Sequence, residues 1–202
     1  MTPDGIFSQI KEGEKDANNK SLHGGEFYLI KRLPGILPYF ADTGVSSELK
    51  AQIAHILKDT TEPENRIRFY DEWSDKYEED LVLVGNYSGH TKCVEAFLSL
   101  QLNRSVTILD LACGTGLLGG EVIKHGYVNL DGLDASLQML GQARKKTIFK
   151  DHIYAQVNGL GSLPLCDDVY DVVMSSNGFA PGQIYPESIE EILRNQPLQF
   201  FR

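Results

Sequence analysis

The first hundred residues carry helical rather than alternating apolar patterns. Residues 1–24 are polar without period: Lys11, Glu12, Glu14, Lys15, Asp16 and the Asn18–Asn19 pair give no buried face. Glu26–Arg32 reads as a short strand, interrupted soon after by Pro34 and Pro38. Over Ser46–Asp59, Leu49, Ile53, Ile56 and Leu57 fall on one face of a helix. A second helix starts near Thr61, with Glu64 at capping-box spacing, and carries Ile67, Tyr70, Trp73, Tyr77, Leu81 and Val84 every three or four residues. A third, over 89–102, presents Val94, Phe97 and Leu98.

The rhythm changes at Ser105. Short apolar runs at Val106–Ala112, Val128–Leu133, Ile153–Val157 and Val172–Ser175 alternate with helical stretches at 116–125, 136–146 and 186–194, the last with Pro186 in its first turn. Strand–helix alternation of this kind predicts βαβ units, hence a parallel sheet with helices on its faces. The expected division is an N-terminal extension over 1–60, a helical lid region over 61–104 and an α/β domain over 105–202.

Composition narrows the function classes. The 202 residues are 42% hydrophobic and 23% charged, as in an ordinary globular chain, and the formal charge is −9. An acidic surface disfavours nucleic acid as the main partner. The one dense basic cluster, Arg144-Lys145-Lys146, sits where a helix ends, and the helix dipole accounts for it. Cys93, Cys113 and Cys166 are odd in number and widely spaced, without zinc or disulfide spacing, so no metal is expected. With neither a signal-peptide core nor a membrane-length apolar run, the expectation is a soluble cytoplasmic protein.

The chemistry concentrates in Asp110-Leu-Ala-Cys-Gly114-Thr-Gly116-Leu-Leu-Gly119, where a strand ends and a helix opens. Glycines there let the chain turn tightly and let a ligand approach the backbone. The next strand ends in Asp134, eighteen residues after Gly116, where a carboxylate can accept both hydroxyls of a ribose. Gly114, Gly116 and Gly119 also satisfy the pattern of a nicotinamide dinucleotide site. Asp110 argues against that alternative, because a carboxylate beside the turn repels a pyrophosphate and suits an ammonium or sulfonium. The motif also follows about a hundred residues of chain, whereas dinucleotide folds usually open with it.

The stretch Asp110–Gly116 resembles the glycine motif of class I S-adenosylmethionine-dependent methyltransferases. Asp131-Gly-Leu-Asp134-Ala-Ser-Leu-Gln-Met139 resembles their second-strand motif, Leu163–Val173 their approach to the fourth strand, and Phe69–Tyr77 the helix that closes over the cofactor. Within that family the chain is similar to the methyltransferase-like proteins of the Williams–Beuren syndrome region, through Gly178–Glu187 as well. The resemblance implies a Rossmann-like α/β fold and S-adenosyl-L-methionine as cofactor, with an unidentified methyl acceptor as partner. It places Ala112, Gly114 and Gly116 against the methionine portion, with Asp110 favouring its ammonium. It assigns the ribose to Asp134 and the adenine side to Ala135 and Met139. Tyr70, Trp73 and Tyr77 could lay aromatic faces near the sulfonium, although aromatic stripes at this spacing also pack cores. Ser175 joins the cofactor contacts, and Asn177 is a contact by position alone. No constellation in the sequence makes a general base.

Two departures stand out. Asn158-Gly159-Leu160 takes the place where many relatives bind adenine with an acidic residue. After Arg194 relatives continue into a fifth strand, whereas this chain reads Asn195-Gln-Pro-Leu-Gln-Phe-Phe-Arg202. Strands one to four without later ones leave Val172–Met174 as an open edge. That edge predicts self-association, weak stability and a cofactor binder poor in turnover.

Overall fold

A computed structural model describes residues 27–30, 63–84, 87–157, 163–166, 169–179, 183–184, 188 and 191–192. The helix expected over 46–59, the Thr61 cap and Asn158-Gly159-Leu160 lie outside the described residues, as does most of the helix expected over 186–194, of which Glu191 and Ile192 are helical.

Among the described residues ten elements follow in order: β1 (Phe27–Ile30), α1 (Pro63–Trp73), a π-helical turn (Glu79–Val84), α2 (Gly89–Ser99), β2 (Ile108–Leu111), α3 (Leu117–Lys124), β3 (Leu130–Asp134), α4 (Leu137–Lys145), β4 (His152–Tyr154) and β5 (Val172–Ser176). The sheet order is β1-β5-β2-β3-β4. The last four named are the parallel strands expected from the sequence, in the arrangement typical of class I methyltransferases.

Strand periodicity divides the core into two layers. Ile108, Leu130, Val172 and Met174 face one cluster, with Cys93, Val94 and Phe97 of α2, Leu118 and Val122 of α3 and Leu140 of α4. Leu109, Leu111, Leu133 and Val173 face the other, with Leu163, Ile184 and Ile192. α2 was grouped with the lid by sequence, yet it packs in this core. Asp171 fixes the start of β5: its Oδ2 accepts from Thr107 N at 2.8 Å and from Thr107 Oγ1 at 2.9 Å.

Several boundaries shift for local reasons. The helix expected through Val84 breaks after Trp73, where Ser74 Oγ donates to the Asp71 carbonyl at 2.9 Å. Hydroxyl-to-backbone bonds of this kind compete with the helix ladder. The helix expected to residue 102 ends at Ser99, because Leu100 caps it and Gln101 turns left-handed at φ 51°. Arg144 and Lys145 do lie in the last turn of α4, as the dipole argument required.

One expectation is corrected. The fourth parallel strand, β5, is not an open edge. β1 pairs with it antiparallel, Phe27 opposite Ser176 and Ile30 opposite Val173, so the sheet is mixed. The backbone groups expected to drive self-association through Val172–Met174 are bonded within the chain, and the argument for weak stability built on that edge loses its basis. Among the described residues no helix is long and apolar enough to cross a membrane.

Candidate active site

The carboxyl ends of the parallel strands open into a cleft, with α1 across it. It holds about 820 Å³ of non-atom space, open solvent at its mouth included. Such clefts form in open α/β sheets where the strand order reverses, here between β2 and β5.

The floor is the turn after β2. Ala112 takes a left-handed φ of 56° and Gly114 one of 54°. At Ala112 the conformation is a strain that the surrounding turn holds. A Cβ at Gly114 would meet no atom within 4 Å, so its backbone is bare toward the cleft. Asp134, at the end of β3, pins this turn. Its Oδ2 accepts from Gly114 N at 2.7 Å and its Oδ1 from Ser136 N at 2.8 Å. Burial pushes the Asp134 carboxyl up, and the backbone N–H groups of Ser136, Gly114 and Ala135 pull it back. Ala135, Ser136 and Met139 continue this wall into α4.

Asp110 lies one layer deeper. It is buried at mid-sheet, opposite Gly132 and Met174. Its Oδ2 accepts from Gly119 N at 3.1 Å, whereas its Oδ1 is a buried oxygen without a hydrogen-bond partner in the structure. Burial, more than the neighbouring Asp134, raises its carboxyl well above the usual range. A folded-state value above the unfolded one, about 3.9, gives stability that is full at low pH and lost as pH rises through the folded value. Asp110→Asn should therefore raise the unfolding temperature more at pH 8 than at pH 5. Equal shifts at both values in thermal melts would contradict a buried, titrating Asp110.

α1 provides the roof. Tyr70 and Tyr77 line the cleft with Arg66 and Ile67. Desolvation, then the charge of Asp134, lifts the Tyr70 phenol to about 12, so it stays neutral. Trp73 is not a lining residue. It backs the two tyrosines, 4.8 Å from Tyr77 and 6.2 Å from Tyr70 between ring centroids, and its Nε1 donates to Asp80 Oδ2 at 2.7 Å.

The far wall follows β5. Ser175 points away from the cleft: it is buried and donates to the Leu111 carbonyl at 2.7 Å. Its neighbour Ser176 lines the cleft, with Asn177 at φ 72°, Gly178 and Gln183. Gly116 also departs from its expected place. It is not a lining residue, and a Cβ there would lie 2.5 Å from Ile148 Cδ1. Sequence reasoning missed Arg66, Ser136, Gln156 and Ser176 as lining residues. Arg66 stands one helical turn before Tyr70, a signal that was available.

Residues 108–195 match the family model described as a methyltransferase domain. Among curated proteins, Methyltransferase-like protein 27 of Homo sapiens is 28% identical over 158 residues, covering 76% of this chain and 62% of that protein. The chain thus spans less than two thirds of that relative's length. Among solved structures, a TehB-like SAM-dependent methyltransferase from Corynebacterium glutamicum aligns with TM-score 0.45 at 18% identity, over 64% of this chain and 67% of the other. A SAM-dependent methyltransferase from Aquifex aeolicus aligns with TM-score 0.42 at 18% identity, over 52% and 57%. Residues 108–195 are thus similar to a methyltransferase domain, carried on a Rossmann-like α/β fold.

Proposed function

We propose that the cleft binds S-adenosyl-L-methionine and that the protein transfers its methyl group to a small molecule or a protein. The observation that carries this reading is the bare Gly114 backbone held between two carboxyl groups, the half-buried Asp134 in the wall and the buried Asp110 beneath. A pyrophosphate would meet the Asp134 carboxylate there, whereas a cationic ligand without phosphate meets complementary charge and favours the ionised form of Asp110. The unpartnered Asp110 Oδ1 supports the same fit, because a buried acceptor without a donor is costly.

When bound, that cofactor supplies an electrophilic methyl group on a sulfonium. Ala112 and Gly114 admit its methionine portion, with Asp110 acting on the ammonium from below. Asp134 accepts the ribose hydroxyls, and Ala135 and Met139 form an apolar wall for adenine. Tyr70 and Tyr77 face the sulfonium, supported from behind by Trp73. Gly116 and Ser175 act through the backbone they fix. Catalysis then rests on holding donor and acceptor in line, an effect able to supply about 7–11 kcal/mol. Within the lid region expected over 61–104, α1 is the part that closes the cleft in this reading. Three free thiols, at Cys93, Cys113 and Cys166, suit a cytoplasmic location.

Calorimetric titration tests the cofactor. S-adenosylhomocysteine is expected to bind and NAD not to; preference for NAD overturns the assignment. Release of label from methyl-labelled cofactor, with small-molecule and protein extracts as acceptors, tests transfer. Binding without any release would make the protein a cofactor-binding module instead.

A further inference from the structure

α1 is held along one side by a row of polar contacts. Asp71 of α1 and Asp75 and Glu78 of the stretch after it recur every three or four residues and meet α4 and its two caps. Asp71 Oδ1 accepts from Ser136 Oγ at 2.5 Å and from Gln138 N at 3.3 Å. Gln142 Nε2 donates to Asp75, and Lys146 Nζ to Glu78. This row follows α4 and fixes the C-terminal end of α1 and the turn after it.

The other edge of α1 overhangs the cleft. There Gln183 Nε2, from the loop after β5, donates to Tyr70 Oη at 2.6 Å, joining residues 113 positions apart. Both residues line the cleft, from opposite walls. The Tyr70 ring is braced from behind by Phe69 at 5.3 Å and Trp73 at 6.2 Å, so the bond holds a rigid element, not a loose side chain.

From this geometry we infer that Gln183 is a positioning residue, the latch of the cleft: through Tyr70 it holds α1 shut over the bound cofactor, which exchanges when this bond opens. The contacts to α4 serve as the hinge side and the Gln183 bond as the closing side. The inference rests on the cofactor assignment above for its ligand, but not for the bond itself.

The test is a double-mutant cycle on the full chain. Gln183→Leu and Tyr70→Phe each remove the bond while keeping side-chain volume, and Tyr70→Phe keeps the aromatic face. Stopped-flow measurement of S-adenosylhomocysteine dissociation, followed by Trp73 emission, should show about a fivefold faster release for each, the loss expected of one ordinary hydrogen bond. The double variant should be no faster than either single one. Gln183→Glu, which can accept from the Tyr70 hydroxyl, should restore slow release. Multiplicative effects in the double variant, or unchanged rates, overturn the latch. Amide hydrogen exchange of residues 63–73 without ligand separates the two readings. The two bond-breaking variants should lose protection there, and unchanged exchange refutes the latch even in a protein that does not bind S-adenosylhomocysteine. Failure of the unmodified chain to bind that ligand, with protection lost in the variants, refutes the cofactor assignment and leaves the latch standing.

Discussion

Asp134→Ala is expected to weaken S-adenosylhomocysteine binding by at least about a hundredfold in a protein that still folds. The carboxylate has about four lone-pair sites. Gly114 N and Ser136 N take two at 2.7 and 2.8 Å, with the Ala135 N–H close beside them. The others are left for a ligand on the cleft side, and two ribose hydroxyls can use them. Bonds to a charged acceptor are worth about 1.5–3 kcal/mol each, so losing two costs about 3–6 kcal/mol, a factor of about 10² to 10⁴ in affinity. The substitution also unpins the Gly114 turn, which adds to the loss. Asp134→Asn keeps the shape and part of the accepting capacity and should fall between. Calorimetry with S-adenosylhomocysteine, alongside circular dichroism to confirm folding, decides the matter. A folded alanine variant with an unchanged dissociation constant would exclude the ribose role.

The second large effect is on stability. The ring of Phe149 lies against two glycines, one in β3 and one in α3. A Cβ at Gly132 would come within 2.7 Å of its Cδ2 and Cε2, and a Cβ at Gly119 within 2.6 Å of its Cε1. Phe149 is buried, so it has little room to retreat. Gly132→Ala therefore overpacks the middle of the sheet, at a cost of about 1–3 kcal/mol. At about 2–4 °C per kcal/mol for a chain of this size, the unfolding midpoint should fall by roughly 2–12 °C. Phe149→Leu in the same chain opens space for the new methyl group. The double variant should lose less than the sum of the single losses, because the two residues touch. A Gly132→Ala protein that melts with the parent would show that the ring does not rest on this glycine.

These glycines show how far the sequence could be read. The motif from Asp110 to Gly119 located the turn and the cleft floor, because a strand end, glycines and an acidic residue on the next strand are all local signals. Which way each glycine faces is not local. Gly114 opens on the cleft, whereas Gly116 and Gly119 make room for Ile148 and Phe149, residues some thirty positions away. Ser175 and Ser176 illustrate the strand rule: neighbouring side chains point to opposite faces, so a one-residue error moved the cleft contact to the wrong serine. Trp73 followed the helical stripe correctly but sits behind Tyr70 and Tyr77, a depth that periodicity does not encode. The parallel strands were legible because βαβ units are short in sequence. The partner of β1 was not, because nothing near Phe27 names a strand so far along the chain.

That distance has a consequence for how the molecule is made. The β1–β5 register joins positions about 140 residues apart, Ile30 with Val173. At translation rates of about 5–20 residues per second, β1 leaves the ribosome on the order of ten seconds before its partner exists. The three strands between them in the chain, β2, β3 and β4, can pair in that interval, since each meets a neighbour close in sequence. Closure of β1 is then a late event with a high loop-closure cost, and contacts of that kind slow folding. The nascent chain therefore carries its earliest strand unpaired for longest, and that segment is where a chaperone would find it.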